Sequence, residues 1–403
     1  MSFLEAFLAD NNLPSTVLLG VADPQGFRAA GVPAGLKSTG KPDVSLVVND
    51  GPLHNAAAVF TTNRVAAAPV LWSKQAVSDG RADAVLLNSG GANACTGAEG
   101  FQNTHASAEK TAELLGISAG DVLVCSTGLI GEQLPMDKIF AGATDAHAQL
   151  ASGEAASASA AAGIMTTDTV SKRAGFEGAG YRIGGMAKGA GMLAPALATM
   201  LVVITTDAVL EPAQLDEALR AATAVSFDRA DADGCMSTND TVILMASGAS
   251  GVTPDLEEFT KGLTSTCVDL ALQLMHDAEG ASHEIAVRTF NAASVEDALE
   301  VSRAVSRSNL FKTAIFGNDP NWGRVLSATG TTNAAFEPEN LNVFMNGVQV
   351  CRNGGLGEDR SNVDLTGRTV TVDIDLGVGD AEATIWTNDL THEYVHENSA
   401  YSS

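Results

Sequence analysis

Basic residues are scarce in this chain. Its 403 residues include 23 Lys and Arg against 48 Asp and Glu, a net charge of −25. That surplus repels phosphate backbones and anionic lipid, which argues against nucleic acid or a membrane surface as the partner. Cysteine is sparse too: Cys95, Cys125, Cys235, Cys267 and Cys351 are odd in number, widely spaced and contain no CxxC pair. Such usage fits a reducing cytoplasm with free, mostly buried thiols. No run approaches the ~20 apolar residues that span a bilayer. The Ala-rich stretch from Ala155 to Gly163 is too short and too small-sided. The opening MSFLEAFLADNNLPS has no basic n-region and carries Glu5 and Asp10 within its apolar stretch, so it does not read as a signal peptide. Exact repeats and low-complexity linkers are missing as well. The densest small-residue tract, Ala151 to Gly163, reads as a flexible or helical connector.

A hydrophobic content of 45% marks a globular protein, and the length suffices for a large core spread over two or three structural units. Short apolar runs at Val44–Val48, Ala84–Leu87, Val122–Cys125, Met200–Ile204, Val242–Met245 and Val370–Ile374 are bounded by Gly, Asn, Asp, Ser or Thr and predict strands. His105–Leu115, Pro212–Val225, Pro254–Ala278 and Val295–Ser306 predict helices. In the third, Leu256, Phe259, Leu263, Cys267, Leu270 and Leu274 recur at spacings of three and four and form one apolar face. Strands and helices mix throughout, so the class is α/β or α+β; whether the strands run parallel is not legible.

The segment KGAGMLAPALATMLVVITTD (188–207) sets Thr199 between Ala198 and an apolar strand. A threonine hydroxyl is a poor nucleophile without a neighbouring base. The simplest base is its own α-amine, with a reference pKa of about 7.7, which is free only if the chain is cut before Thr199. The structural alternative is an ordinary loop through Gly189, Gly191 and Pro195 that feeds a buried strand.

The longer run GGMAKGAGMLAPALATMLVVITTDA (184–208) resembles the self-cleavage segment of the ornithine acetyltransferase family, also called glutamate N-acetyltransferase, of arginine biosynthesis. CSTGLIG (125–131), IMTTDT (164–169), STNDT (237–241), KTAIFGNDPNWGR (312–324) and the terminal NSAYSS (398–403) follow in family order. The resemblance extends from about Gly26 to the last residue, with a variable lead-in before it. It implies an αββα sandwich of stacked sheets between helices, with a smaller C-terminal domain from about residue 280. It further implies a cut between Ala198 and Thr199, giving fragments 1–198 and 199–403, assembled as two α and two β fragments.

The same resemblance assigns roles. Thr127 and Gly128 form an oxyanion hole; their bare alternative is a strand-end turn, in which Gly128 leaves backbone N–H groups pointing outward. Lys188 holds a substrate α-carboxylate. Thr166, or Thr167 if the alignment slips by one, contacts substrate. Glu279 sits at the end of the long helix, where the helix dipole disfavours an acid by about 0.3–1 kcal/mol; it binds a substrate amino group, or is simply one of many exposed acids. Asn398 and Ser403 bind substrate from a terminus that must then be tied down. Asp319, Asn321 and Trp322 read as a structural loop without a catalytic role.

His392-Glu393-Tyr394-Val395-His396 spells H-E-x-x-H, a zinc peptidase pattern that needs both His on one helical face. It follows Ala383–Trp386, which alternate like a strand. Among the seven residues after it, Glu397 is the lone acid and there is no His, so the usual third ligand is missing. The expectation is therefore a cytoplasmic acetyltransferase that moves acetyl from N-acetylornithine to glutamate through a Thr199 ester, with acetyl-CoA left open as a further donor and no metal or organic cofactor. Competing readings are a self-cleaving amidohydrolase or aminopeptidase, a zinc peptidase built on HEYVH, and a non-enzymatic scaffold.

Overall fold

A computed structural model describes residues 2–194 and 200–400. The sandwich uses strands β1 (Phe27–Val32), β2 (Val44–Asn49), β3 (Asn55–Phe60), β4 (Ala84–Asn88), β5 (Val122–Ser126), β6 (Lys172–Glu177), β7 (Arg182–Lys188), β8 (Leu201–Thr206) and β9 (Thr241–Ala246). Its helices are α1 (Phe3–Asp10), α2 (Ala68–Ala76), α3 (Gly97–Leu115), α4 (Met136–Ala148), α5 (Glu154–Gly163), α6 (Pro212–Ala224) and α7 (Leu256–His276).

One sheet has the order β1-β2-β4-β5 and the other β3-β9-β8-β7-β6. Both are mixed: β4 and β5 run parallel, as do β8 and β9, while the remaining pairs are antiparallel. The alternation along β8 shows why its first four residues, Leu201 to Ile204, are an unbroken apolar run. Leu201 and Val203 pack into the core between the sheets, and Val202 and Ile204 pack under α6 and α7. A strand buried on both faces has no polar side to display. In the other sheet, Leu86, Val122 and Val124 meet Ala108 and Ala112 of α3 and Ile139 and Ala143 of α4. The layers are therefore helix, sheet, sheet, helix. Burying each such Val, Leu or Ile stabilises the fold by about 1.5–3 kcal/mol.

The Ala-rich tract is helical. In α5, Ala156, Ala160 and Ala161 join the inter-sheet core, and Gly31 of β1 lets the helix approach closely, since a Cβ there would stand 2.0 Å from the Ser159 carbonyl oxygen. The N-terminal lead-in also packs: Phe7 of α1 meets the Trp386 ring edge-on at 5.4 Å.

A second sheet unit follows, made of β10 (Glu284–Ala292), α8 (Val295–Ser306), α9 (Asn309–Phe316), α10 (Trp322–Thr329), β11 (Asn342–Met345), β12 (Val348–Arg352), β13 (Gly355–Leu356), β14 (Thr369–Asp375) and β15 (Ala381–Asn388). Its strand order is β13-β12-β11-β14-β10-β15, and it has its own core, in which Val301, Phe311 and Val325 of the three helices cover Ile285, Val372 and Ile374.

Two sequence expectations need correction. The segment after β15 is a helix, α11 (His392–Ala400), capped by Thr391, whose Oγ1 accepts the Tyr394 N–H at 2.9 Å. The long helix α7 ends at His276, not at Glu279. Its Asp277 cap and the positive φ of Gly280 (61°) turn the chain away, so Glu279 lies in a turn beyond the reach of the last carbonyls.

Candidate active site

Strand β5 ends in a turn whose geometry only glycine permits at position 128. Gly128 has φ 131°, and a Cβ there would meet the Gly91 nitrogen at 2.7 Å. The turn is held by Thr127 N–H to the Asn88 carbonyl (3.0 Å) and Gly91 N–H to the Thr127 carbonyl (3.0 Å). Buried Asn239, from the loop before β9, clamps the same turn by donating to the Ala92 carbonyl (2.6 Å) and the Ser126 carbonyl (2.8 Å). At the end of β7, Lys188 donates from Nζ to Thr127 Oγ1 at 3.0 Å. That hydroxyl, accepting from the ammonium, keeps its own proton to donate elsewhere.

Lys188 is 1% exposed. Burial lowers its pKa below the ordinary lysine value; Asp168, Asp240 and Glu279 oppose that shift, and Lys172 adds to it. For Asp168, burial alone would raise the pKa, but Lys188, then Lys172 and the Gly189 N–H outweigh it and hold the carboxyl at about 2. Asp168 also accepts the N–H of half-buried Thr166 at 2.9 Å. Beyond α7, the Glu279 N–H donates to the Ala190 carbonyl at 2.9 Å. A side chain at Gly191 would strike the Glu279 carboxylate, 2.6 Å away, so this glycine lets the acid lie against the 190–192 backbone. Asn398 is exposed on α11 and bonds its own helix at the Tyr394 carbonyl (3.0 Å).

One cavity is lined by Thr127, Gly128, Thr166, Lys188, Glu279 and Asn398, with Thr167 beside Thr166. Every nominated residue among those described thus borders one space. Ala198, Thr199 and Ser403 lie outside the described residues. The chain on either side of 195–199 is anchored to a single loop. Met192, at φ 52°, donates its N–H to Asp233 Oδ2 (2.7 Å), and the Leu193 carbonyl accepts the Ala232 N–H (2.6 Å). Met200 donates its N–H to Asp240 Oδ1 (3.0 Å). The second oxygen of Asp240 is buried without a hydrogen-bond partner among the described residues, and burial pushes this carboxyl well above the usual range. Burial likewise lifts Asp233 to about 6.

Asp168, Asp233, Asn239 and Asp240 escape the sequence reading. Their available signal was position: Asp168 lies within IMTTDT, and Asn239 and Asp240 within STNDT, acids and amides at the ends of apolar strands where a solvated loop would be the default. His392 and His396 stand one turn apart on α11, and His392 meets the Phe316 ring edge-on at 5.4 Å. Among the described residues no group of three or more His, Cys, Asp or Glu side chains could hold a metal ion. No helix among them is long and apolar enough to cross a membrane. Chemically, the cavity is bordered by a turn with a hydroxyl at Thr127 and a backbone N–H at Gly128, by a lysine and by a carboxylate. That set can bind an amino acid and steady a negative oxygen.

Residues 28–403 match the family described as the ArgJ family. The chain is similar to the arginine biosynthesis bifunctional protein ArgJ of Streptomyces coelicolor, 61% identical over 385 residues, covering 96% of this chain and 100% of the relative. It is similar to the protein of the same name from Thermobifida fusca, 62% identical over 385 residues with the same coverage. Among solved structures it resembles ornithine acetyltransferase complexed with ornithine from Mycobacterium tuberculosis, at 48% identity, 46% of this chain, 100% of that chain and a TM-score of 0.43.

Proposed function

The chain belongs to the ArgJ family and is an acyltransferase of arginine biosynthesis, and from that premise we propose how its site works. The precursor cuts itself between Ala198 and Thr199. Thr199 Oγ attacks the Ala198 carbonyl carbon, and the resulting oxyanion is met by the Thr127 hydroxyl and the Gly128 N–H. The proton given up by Oγ passes to the Thr199 nitrogen, and collapse expels that nitrogen as the amine, leaving an ester that water hydrolyses to an Ala198 carboxylate and a free Thr199 amine.

In turnover that amine takes the Oγ proton while Oγ attacks the acetyl carbon of N-acetylornithine. Ornithine leaves with the proton, and the acetyl group stays on Thr199. The glutamate amine then attacks the ester, Thr199 Oγ leaves and takes back a proton from that amine, and N-acetylglutamate is released, with acetyl-CoA as a second donor through the same ester. Lys188 receives the substrate α-carboxylate and Glu279 an amino group, while Thr166, Asn398 and Ser403 complete the contacts. Both half-reactions use one nucleophile and one oxyanion site, so the route needs no metal or organic cofactor. We assign the work to the cytoplasm and the assembly to two copies of each fragment.

The observation that supports this reading is the single cavity bordered by Thr127, Gly128, Thr166, Lys188, Glu279 and Asn398, which come from separate parts of the chain. The test begins with intact mass and N-terminal sequencing, expected to give two fragments with a second N-terminus Thr-Met-Leu, and one uncut chain for Thr199→Ala. N-acetylornithine alone should then add one acetyl group to the Thr199 fragment, and glutamate should discharge it. Cutting of the Thr199→Ala chain at the same bond, or discharge by water as fast as by glutamate, would sink the proposal. The latter outcome would favour an amidohydrolase.

A further inference from the structure

Behind the cavity wall Lys188 continues into a row of buried charges that the mechanism above does not use. Lys172 of β6 places Nζ 2.6 Å from Asp168 Oδ1 and 2.6 Å from Asp277 Oδ2, and the three side chains are at most 5% exposed. Each acid also holds backbone. Asp168 accepts the Gly189 N–H (2.7 Å), next to Lys188, and the Thr166 N–H (2.9 Å). Asp277, two residues before Glu279, accepts the Thr169 N–H (3.0 Å). Read along the row, Lys188, Asp168, Lys172 and Asp277 alternate in sign. Three walls of the cavity therefore hang on one carboxylate and its lysine.

We propose that Asp168 is a positioning residue: it ties the Thr166 turn to the Lys188–Gly189 turn and balances the charge of the Lys188 ammonium so that it can receive a substrate carboxylate. The inference rests on the proposed use of this cavity. Its physical basis is that a fully buried ammonium without a nearby anion loses its proton. The charged groups that face Lys188 are Asp168 from the loop before β6, Lys172 of β6, Asp240 before β9 and Glu279 after α7. Lys37, between β1 and β2, faces both Lys188 and Asp168. Among the anions, Asp168 acts on Lys188 most strongly. Activity that needs the ammonium is present below the Lys188 pKa and lost as pH rises through it. Removing the Asp168 charge lowers that pKa, so the loss must come at lower pH.

The test is the pH dependence of kcat/KM for acetyl transfer, on protein shown by mass to be cut and by melting to be folded. Asp168→Asn should move the alkaline limb to lower pH by about 1 unit or more and raise KM. In a Lys188→Arg background, whose guanidinium stays charged throughout, the same substitution should leave the limb in place. A wild-type limb in the Asp168→Asn enzyme would overturn the inference, as would a shift that persists in the Lys188→Arg background. If Asp168→Asn fails to fold or to be cut, Asp168→Glu carries the decision, since it keeps the charge but displaces it. An unmoved limb with raised KM then supports the inference, and a moved limb overturns it. A folded, cut wild type that transfers no acetyl group at any pH would remove the proposed function, and this inference with it.

Discussion

Two lysines of nearly equal burial flank Glu279, and they serve different ends. Lys188, from β7, gives its hydrogen bond to a side-chain hydroxyl on the cavity and is balanced by the row that begins at Asp168. Lys312, from α9 of the C-terminal unit, gives its bond to the backbone carbonyl of Ala232 in the sandwich, near Asp233, Asp231 and Asp389. It lines a second cavity, which shares Glu279 with the first. Burial lowers the pKa of both lysines. What separates them is the acceptor: a carbonyl bond fastens one unit to another, whereas a hydroxyl bond leaves a group able to respond to a ligand. Lys312 thereby gives KTAIFGNDPNWGR a structural meaning as the joint between the units.

The comparison breaks if the two lysines exchange effects. Lys188→Met should reduce acetyl transfer by about 10²-fold or more, on the scale of losing a preorganised electrostatic group, with a melting temperature near that of the wild type. Steady-state kinetics beside a thermal melt decides it. Lys312→Met should do the reverse. It strips the buried Ala232 carbonyl of its partner, an expected loss of about 1–3 kcal/mol read from the urea midpoint, with transfer per folded molecule nearly unchanged. A large fall in kcat at unchanged stability would move Lys312 into the active site. The smallest effect is expected on the far side of the same region. His392→Ala and His396→Ala together should alter stability by about 1 kcal/mol or less, the scale of one edge-on aromatic pair, and leave zinc content unchanged by elemental analysis. Stoichiometric zinc lost on substitution would restore the HEYVH reading.

Strands buried on both faces were legible because an unbroken apolar run such as MLVVI (200–204) has few other uses. Strand β7 was not. Its RIGGMAK carries Gly184 and Gly185, where added Cβ atoms would stand 2.1 Å from the Gly20 carbonyl and 3.0 Å from Leu270, so close packing selected residues that give no strand signal. The same contrast holds at the site. Thr127, Gly128 and Lys188 were nominated because short motifs carry them. Asp168 was not, because its importance lies in partners at positions 172 and 189 that no local pattern announces. Glu279 was nominated partly for a helix-end misfit that the turn at Gly280 removes; its place on the cavity has another cause, the room left by Gly191.

The position of β8 has one more consequence. It lies between β7 and β9, and β3 closes the far edge on β9. A cut before β8 leaves the outer strands β3, β7 and β6 on one fragment and the inner pair β8 and β9 on the other. Neither piece can keep the sheet alone, and both seams between them within it, β3 to β9 and β7 to β8, are ladders of backbone hydrogen bonds. The nicked protein is then, thermodynamically, a complex of two chains. Its unfolding releases two species, so its apparent stability depends on concentration, and its reassembly from denaturant is a bimolecular encounter. The uncut chain carries both partners on one tether and recovers as a single molecule. A bond broken once, after the sheet has closed, would make a fold that forms readily the first time dependent on dilution ever after.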